Sequence, residues 1–207
     1  MIYCFKYCDS LEVLHLENNF LDQLPIDFNK LIKLRCLFLA NNIFTTIPTV
    51  IGCMASLFML SFKSNSLESV PGESLHPNIA WLILTDNKLA TLPPEIGHLK
   101  KLRKLMLAGN RLCHLPSEMS HCTSLELIRL SANSFSELPD WLFSLPNLAW
   151  LGIGGNPISS LPNYNHPLLI SSADVALGNL LGEGASGYVY EGIWSHANKQ
   201  TEVAVIV

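Results

Sequence analysis

The sequence is poor in charged residues and has no long apolar run. Only 14% of its 207 residues are charged, and 13 basic residues against 17 acidic ones give a net charge of −4. The basic residues are scattered, which argues against nucleic acid or an anionic membrane surface as the main partner. No stretch approaches the roughly 18 apolar residues of a membrane-spanning helix, and no secretory signal opens the chain. We therefore expect a cytoplasmic protein, with neither nucleic acid nor membrane among its partners.

The six cysteines show neither a metal-binding nor a disulfide pattern. They stand at positions 4, 8, 36, 53, 113 and 122 without a C-x-x-C pair, and no histidine cluster accompanies them. A zinc site is therefore not expected, and without an export signal the thiols are expected to be reduced. Apolar residues make up 49% of the chain, which is enough to bury a core.

The sequence is dominated by one internal repeat. The pattern L-x-x-L-x-L-x-x-N recurs seven times between Leu11 and Pro162, at spacings of 22 or 23 residues. The last two leucines of each copy are two residues apart and therefore lie on one side of a short strand. Stacked copies predict a parallel ladder of strands over a continuous leucine core. The asparagine is expected to bond backbone groups of neighbouring repeats, since a buried amide is tolerated only when it is satisfied.

A second signature, a proline followed three residues later by an apolar residue, comes after most strands. It predicts a convex wall that is irregular or short-helical, completed by apolar residues three positions before the next repeat. Cys122 occupies such a wall position, so we expect a buried small hydrophobe and not a reactive thiol. Residues 1–10 are predicted to form a partial amino-terminal cap, and residues 163–176 a cap and linker. The expected lid over the last repeat consists of Tyr164, Leu168, Leu169 and Ile170.

The outward strand positions form an unusually apolar row on the concave face, where a solenoid of this kind usually binds. The row is large enough to mark an interaction site for a protein or peptide. The alternative is that these side chains pack across adjacent strands and only fill the curve. We expect a monomer with no catalytic residues and no metal ligands. The candidate protein-binding residues are Phe38, Met59, Trp81, Ile83, Met106, Arg129 and Trp150.

A glycine-rich motif follows the repeats. Gly182, Gly184 and Gly187 form G-x-G-x-x-G, and the residues after it alternate as a strand does. A dinucleotide-binding motif should open a helix, whereas strand, glycine turn and strand is the context of a protein-kinase phosphate loop, which Val189 completes. A further strand is predicted over residues 202–207. A plain glycine-rich hairpin is the alternative.

The chain therefore resembles the leucine-rich repeat protein kinases, intracellular proteins in which repeats precede a serine/threonine-type catalytic domain. The resemblance covers the whole chain. It implies an α/β-type leucine-rich repeat solenoid over residues 11–162 and a fragment of a kinase small-lobe β-sheet over residues 177–207. Backbone amides of the glycine loop would lie over the ATP phosphates, and Val189 and Ala204 would cover the adenine. The implied nucleotide-binding residues are Leu181, Gly182, Glu183, Gly184, Ala185, Ser186, Gly187, Val189 and Ala204.

One position departs from this family. The third kinase strand should read V-A-V-K, with the lysine pairing with the nucleotide phosphates. Here Ile206 follows V-A-V, and the 207 residues contain neither H-R-D nor D-F-G. Phosphoryl transfer needs those groups, because its catalysis is positioning and charge neutralisation. As it stands, the chain is expected to be no enzyme and to hold no cofactor, while ATP and magnesium belong to the full-length family.

Two functions stay open at this point. The chain is either a truncated repeat kinase whose working part is the protein-binding solenoid, or a stand-alone repeat adaptor or scaffold with a kinase-like tail. A repeat protein joined to a ubiquitin-ligase domain, as in bacterial effectors, lacks support. No catalytic domain with a nucleophilic cysteine follows the repeats.

Overall fold

The computed structural model describes residues 8–159 in full and, beyond them, the backbone of three strands. The chain divides into two compact units, Met1–Leu161 and Pro162–Val207. Residues 1–7 and the expected lid lie outside the described residues, so the predicted caps stay predictions.

Seven strands of three residues each form one parallel sheet in the first unit, in sequence order. The register pairs equivalent repeat positions, so Leu60 of the third strand lies opposite Leu37 and Leu82. Each strand begins two residues after a repeat start, which confirms the predicted ladder. The strands are β1 Val13–His15, β2 Cys36–Phe38, β3 Met59–Ser61, β4 Trp81–Ile83, β5 Lys104–Met106, β6 Leu127–Arg129 and β7 Trp150–Gly152.

A short 3₁₀ helix follows each of the first six strands and begins directly after the recurring proline. Proline cannot donate a hydrogen bond, but its carbonyl can accept one. The amide of Phe28 donates to the Pro25 carbonyl at 3.0 Å, and the amide of Leu31 donates to the Phe28 carbonyl at 3.2 Å. These hydrogen bonds form a helical turn that directs the apolar residue three positions after the proline toward the core. The helices are Ile26–Lys30, Thr49–Cys53, Gly72–Ser74, Pro94–His98, Ser117–His121 and Asp140–Ser144.

The third repeat takes up its missing residue in this helical segment. Its helix, Gly72–Ser74, has three residues where the other five helices have five. Ser74 is fully buried, and its hydroxyl donates to the Pro71 carbonyl at 2.7 Å. The strand before this helix, β3, keeps the common register, and the next asparagine, Asn87, makes the same bonds as its counterparts.

The predicted convex wall is buried, as the repeat pattern indicated. Cys122 is 0% exposed, and its Sγ donates to the Ile96 carbonyl at 3.3 Å. Burial raises the pKa of this thiol to about 11, so it packs as a small hydrophobe, as predicted. The wall residues, all buried, are Phe28, Leu31, Ile51, Met54, Ile96, Leu99, Met119, Cys122, Leu142 and Leu145.

The first repeat is less well covered than the central ones. Its Leu11, Leu14 and Leu16 are half-buried, whereas the equivalent leucines of the second repeat are 0% exposed. The exposed large apolar side chains of the described region all lie in the first two repeats: Val13, Phe20, Ile26, Ile32 and Ile43.

The asparagines form the predicted ladder. Asn110 accepts the amide of Leu89 at 3.0 Å and donates to the carbonyls of Leu84 and Leu107, both at 2.9 Å. The same three bonds recur at the other asparagines after the first repeat. Asn19 of the first repeat is exposed and bonds only nearby carbonyls, those of Leu16 and Glu17. The ladder therefore links each repeat to the one before it.

The residue before each ladder asparagine has a left-handed backbone. Glycine occupies this position in two of the seven repeats, and Asn, Ser, Asp and Ala occupy it in the others. At Gly109, where φ is +69°, a Cβ would also come within 2.5 Å of Asp86 Oδ1. The sequence repeat did not reveal this turn, because side chains other than glycine fill most copies.

The second unit contains a three-stranded antiparallel sheet with its second strand in the centre. The strands are β8 Val175–Gly184, β9 Gly187–His196 and β10 Lys199–Ile206. Gly184, the last residue of β8, lies opposite Gly187, the first residue of β9, so the two strands pair from these glycines onward. The two strands predicted on either side of the glycine motif are present, while the turn itself lies outside the described residues.

Candidate functional site

The seven candidate binding residues occupy the first or third position of strands β2 to β7. The middle residue of each of these strands faces inward, so the first and third residues share the outer surface of the sheet. Strands of such repeats line the inner side of the solenoid, and we call this surface the concave face. Arg129 is exposed, whereas the six other candidates are half-buried. The structure therefore brings all seven onto one surface.

Several side chains of the concave face pack against one another. The rings of His15 and Phe38 are stacked, with centroids 4.5 Å apart and planes 9° from parallel. Phe58, which precedes β3, lies with its centroid 6.2 Å from that of Trp81. The sequence alternative of packing across strands therefore describes part of this row.

Trp81 carries a cation on its ring. The register places Trp81 beside Lys104, whose Nζ lies 3.9 Å from the ring centroid. Such a contact stabilises by about 0.5–1 kcal/mol at an exposed site. The Trp81 Nε1 is buried and has no hydrogen-bond partner, the one such side-chain atom among the described residues. Trp81 is thus held by its ring face, while its polar group is unsatisfied.

Trp150 forms a matching arrangement three strands away. The Arg129 guanidinium carbon lies 4.8 Å from the centroid of the Trp150 ring. The ring folds along its own strand over Gly152, where a Cβ would come within 2.7 Å of the ring edge. The absence of a side chain at Gly152 therefore lets the tryptophan lie against the sheet beneath the arginine.

Lys104 and Gly152 were not among the candidate residues, although both lie on the predicted row. The repeat register could have identified Lys104, because it stands at the strand position that follows Trp81 in the next repeat. Gly152 could have been found in the same way, as the residue two positions after Trp150. The candidates were chosen from that row mainly for their large apolar side chains, with Arg129 in addition, so Lys104 and Gly152 were left out.

The two cations of the concave face have no carboxylate partner within the described residues. Arg103, directly before β5, instead pairs with Glu126 through Nε at 2.7 Å and Nη2 at 3.0 Å. This contact raises the pKa of Arg103. The other described ion pairs join Lys30 to Asp27 and His15 to Glu17. Lys104, which is half-buried, and Arg129, which is exposed, therefore contact aromatic rings and form no ion pair with a described carboxylate.

Other kinds of site find little support in the described region. No three His, Cys, Asp or Glu side chains there are arranged to hold a metal ion. None of the described helices is long and apolar enough to cross a bilayer. A cavity of about 340 Å³ lies away from the concave face, lined by Leu24, Ile26, Thr46, Ile47, Pro48, Thr49, Val50 and Pro71.

The residues implied to bind nucleotide are spread over the sheet of the second unit. Leu181 to Gly184 lie in β8, Gly187 and Val189 in β9, and Ala204 in β10. Ala185 and Ser186 fall outside the described residues. Val189 lies opposite both Gly182 and Ile206 in the register. The register thus places Gly182 of β8 and Ile206 of β10 on either side of Val189.

Two family models match the first unit. The model described as "Leucine rich repeat" matches residues 77–135 and 100–158, and a second, "Leucine Rich Repeat", matches residues 10–31. These matches fall on the repeats read from the sequence.

Two curated proteins are similar to part of the chain. One is "Probable serine/threonine-protein kinase pats1" of Dictyostelium discoideum, 39% identical over 102 residues, which are 46% of this chain and 3% of that protein. The other is "Leucine-rich repeat and calponin homology domain-containing protein 1" of Mus musculus, 33% identical over 90 residues, which are 44% of this chain and 13% of that protein. The chain thus spans a small part of the curated relatives it matches.

Two solved structures share the fold. An LRR protein of Leptospira interrogans has 35% sequence identity and a TM-score of 0.72, and the match covers 74% of this chain and 40% of that one. A plant peptide hormone receptor, RGFR1 in complex with RGF2, has 29% identity and a TM-score of 0.61, with 75% of this chain and 32% of that chain covered.

Proposed function

This chain belongs to the leucine-rich repeat proteins, and on that premise we propose that its first unit binds a protein or peptide on the concave face. The observation that carries the proposal is the pair of half-buried tryptophans, Trp81 and Trp150, each lying under a cation on the outer surface of one sheet. Large aromatic side chains and arginine at a rigid surface are the usual anchors of protein interfaces. The similar plant receptor was solved in complex with RGF2, which supports a peptide as one class of partner.

The packing between neighbouring side chains does not account for the whole row. Stacking and cation–π contacts hold the rings in place, yet the candidate residues keep part of their surface in water. A platform that is already ordered before binding loses little side-chain entropy when a partner arrives. Packing across the strands therefore fixes the side chains of the concave face before binding, and it is compatible with a partner on that face.

A selection followed by titration tests this proposal. Random dodecapeptides displayed on phage are selected on the immobilised chain, and the affinity of a selected peptide is measured by fluorescence anisotropy. We expect Trp81→Ala and Trp150→Ala each to weaken binding at least about tenfold, because truncated anchors cost about 1.4 kcal/mol or more. Circular dichroism checks that each variant is folded.

The matched control is Trp141→Ala. Trp141 lies in the helix Asp140–Ser144 and is half-buried, like the two concave tryptophans. Its removal should leave peptide affinity unchanged. Equal losses at Trp141, or no loss at either concave tryptophan, would contradict the concave assignment.

We further propose that residues 177–207, within the second unit, are the start of a protein-kinase domain. The hairpin register favours this origin, since it joins β8 and β9 through the glycine-rich segment and places Ile206 beside Val189. Ile206 supplies no charge for a nucleotide phosphate, so the chain's own residues fit ATP poorly. Calorimetric titration with Mg-ATP should show no saturable binding at micromolar nucleotide. Saturable binding would contradict the inference that the chain cannot bind ATP with isoleucine at position 206.

The kinase origin itself is tested at the level of the gene. Codons for H-R-D and D-F-G downstream of residue 207, in any reading frame, would support it. Their absence would favour the stand-alone adaptor with a kinase-like tail. Cytoplasmic location and the monomeric state stay predictions.

A further inference from the structure

The strand positions of the concave face carry positive charges and no negative ones. The fourteen outward strand positions include Lys104 and Arg129 but no aspartate or glutamate. The chain as a whole is acidic, with a net charge of −4. A local positive field on an acidic protein favours a partner of opposite charge and disfavours a basic one.

The contacts of these cations leave their hydrogen-bond donors available. A guanidinium that stacks on an aromatic ring keeps the N–H groups of its edge free for a carboxylate. The Arg129 guanidinium carbon lies over the Trp150 ring, 4.8 Å from its centroid. Lys104 contacts the Trp81 ring at 3.9 Å, and an ammonium group has three donors. Neither side chain forms an ion pair with a described carboxylate, in contrast to Arg103, which pairs with Glu126.

The register sets these groups at a spacing that suits an extended peptide. Lys104 and Arg129 stand on the adjacent strands β5 and β6, and the two tryptophans stand on β4 and β7 outside them. Neighbouring strands are about 4.8 Å apart, so the tryptophans are separated by about 14 Å. An extended chain of about four residues covers this distance.

We propose that the concave face recognises an acidic peptide segment. Its carboxylates pair with Lys104 and Arg129, and its apolar side chains contact Trp81 and Trp150. This inference rests on the proposed function, because it names the chemistry of the partner for the same surface. Because Arg129 is exposed and Lys104 is half-buried, water screens both charges and limits their contribution to a moderate part of the affinity.

The selected dodecapeptides provide the test. We expect them to be enriched in Asp and Glu relative to the unselected library. Replacing the acidic residues of a selected peptide by their amides should weaken binding by about tenfold. Raising the salt concentration should reduce the difference between the two peptides, because exposed charges are screened.

Protein variants assign the preference to the two cations. Lys104→Gln combined with Arg129→Gln should bind the acidic peptide and its amide counterpart equally, whereas Arg129→Lys should keep most of the preference. Lys33→Gln is the control, since Lys33 is exposed and lies before β2, away from the concave face. A melting curve for each variant shows that the fold is retained.

The outcomes separate this inference from the proposed function. Peptides that depend on Trp81 and Trp150 but lack acidic enrichment would overturn the inference and leave the function standing. A preference for acid that survives in the double variant would also overturn it. If no selected peptide depends on the tryptophans, both proposals fail.

Discussion

Replacing Asn110 by alanine tests the hydrogen-bond ladder that joins the repeats. Asn110 is 9% exposed and makes three hydrogen bonds to backbone groups of its own and the preceding repeat. The carbonyl of Leu84 would keep its bond from Asn87, and the carbonyl of Leu107 would keep its bond from Asn133. Only the amide of Leu89 loses its sole acceptor.

The expected cost follows from that single orphaned donor. A buried amide left without a partner costs about 1–3 kcal/mol. We therefore expect Asn110→Ala to lower the free energy of unfolding by about 2 kcal/mol. With a urea m-value of about 2 kcal/mol/M, the unfolding midpoint would fall by about 1 M.

The assay is urea unfolding followed by tryptophan fluorescence and circular dichroism. Asn19→Ala is the matched control, because Asn19 is exposed and bonds only two carbonyls of its own repeat. Its removal should change stability by no more than about 0.5 kcal/mol. Equal midpoints for the two variants would refute the ladder as a source of stability.

Two further changes probe the convex wall. Gly52→Ala should destabilise the protein by about 1–3 kcal/mol, because a Cβ there would overlap the carbonyl oxygen of Glu73. The control is Gly154→Ala, which should be near neutral in the same urea assay because a Cβ at Gly154 would have no atom within 4 Å. The pKa of Cys122, raised on folding to about 11 from near 9, favours the folded state at lower pH. The free energy of unfolding should therefore fall between pH 9 and 11 by about 2–3 kcal/mol more than in Cys122→Ala, and parallel pH profiles would contradict this.

The sequence predicted the first unit well, because one physical constraint recurs in every repeat. Each inward leucine must meet its equivalents, so spacing alone set the strands and their register. Cys122 was assigned correctly for the same reason. The contacts of the site were harder to predict, since they depend on side-chain directions that differ between repeats. Lys104 turning onto Trp81, and Gly152 making room for Trp150, require coordinates.

The shortened third repeat shows where this architecture tolerates a change of length. Its deletion lies in the helix Gly72–Ser74, while Asn87 bonds Leu67, Phe62 and Leu84 through the same atoms that its counterparts use. On the strand side, every repeat must present the same backbone and asparagine hydrogen-bonding groups to its neighbours. The helical side tolerates a change of length, since a residue is missing there while the strands keep their order and register. Evolution of such a chain can therefore change the length of its helical side independently of the concave face.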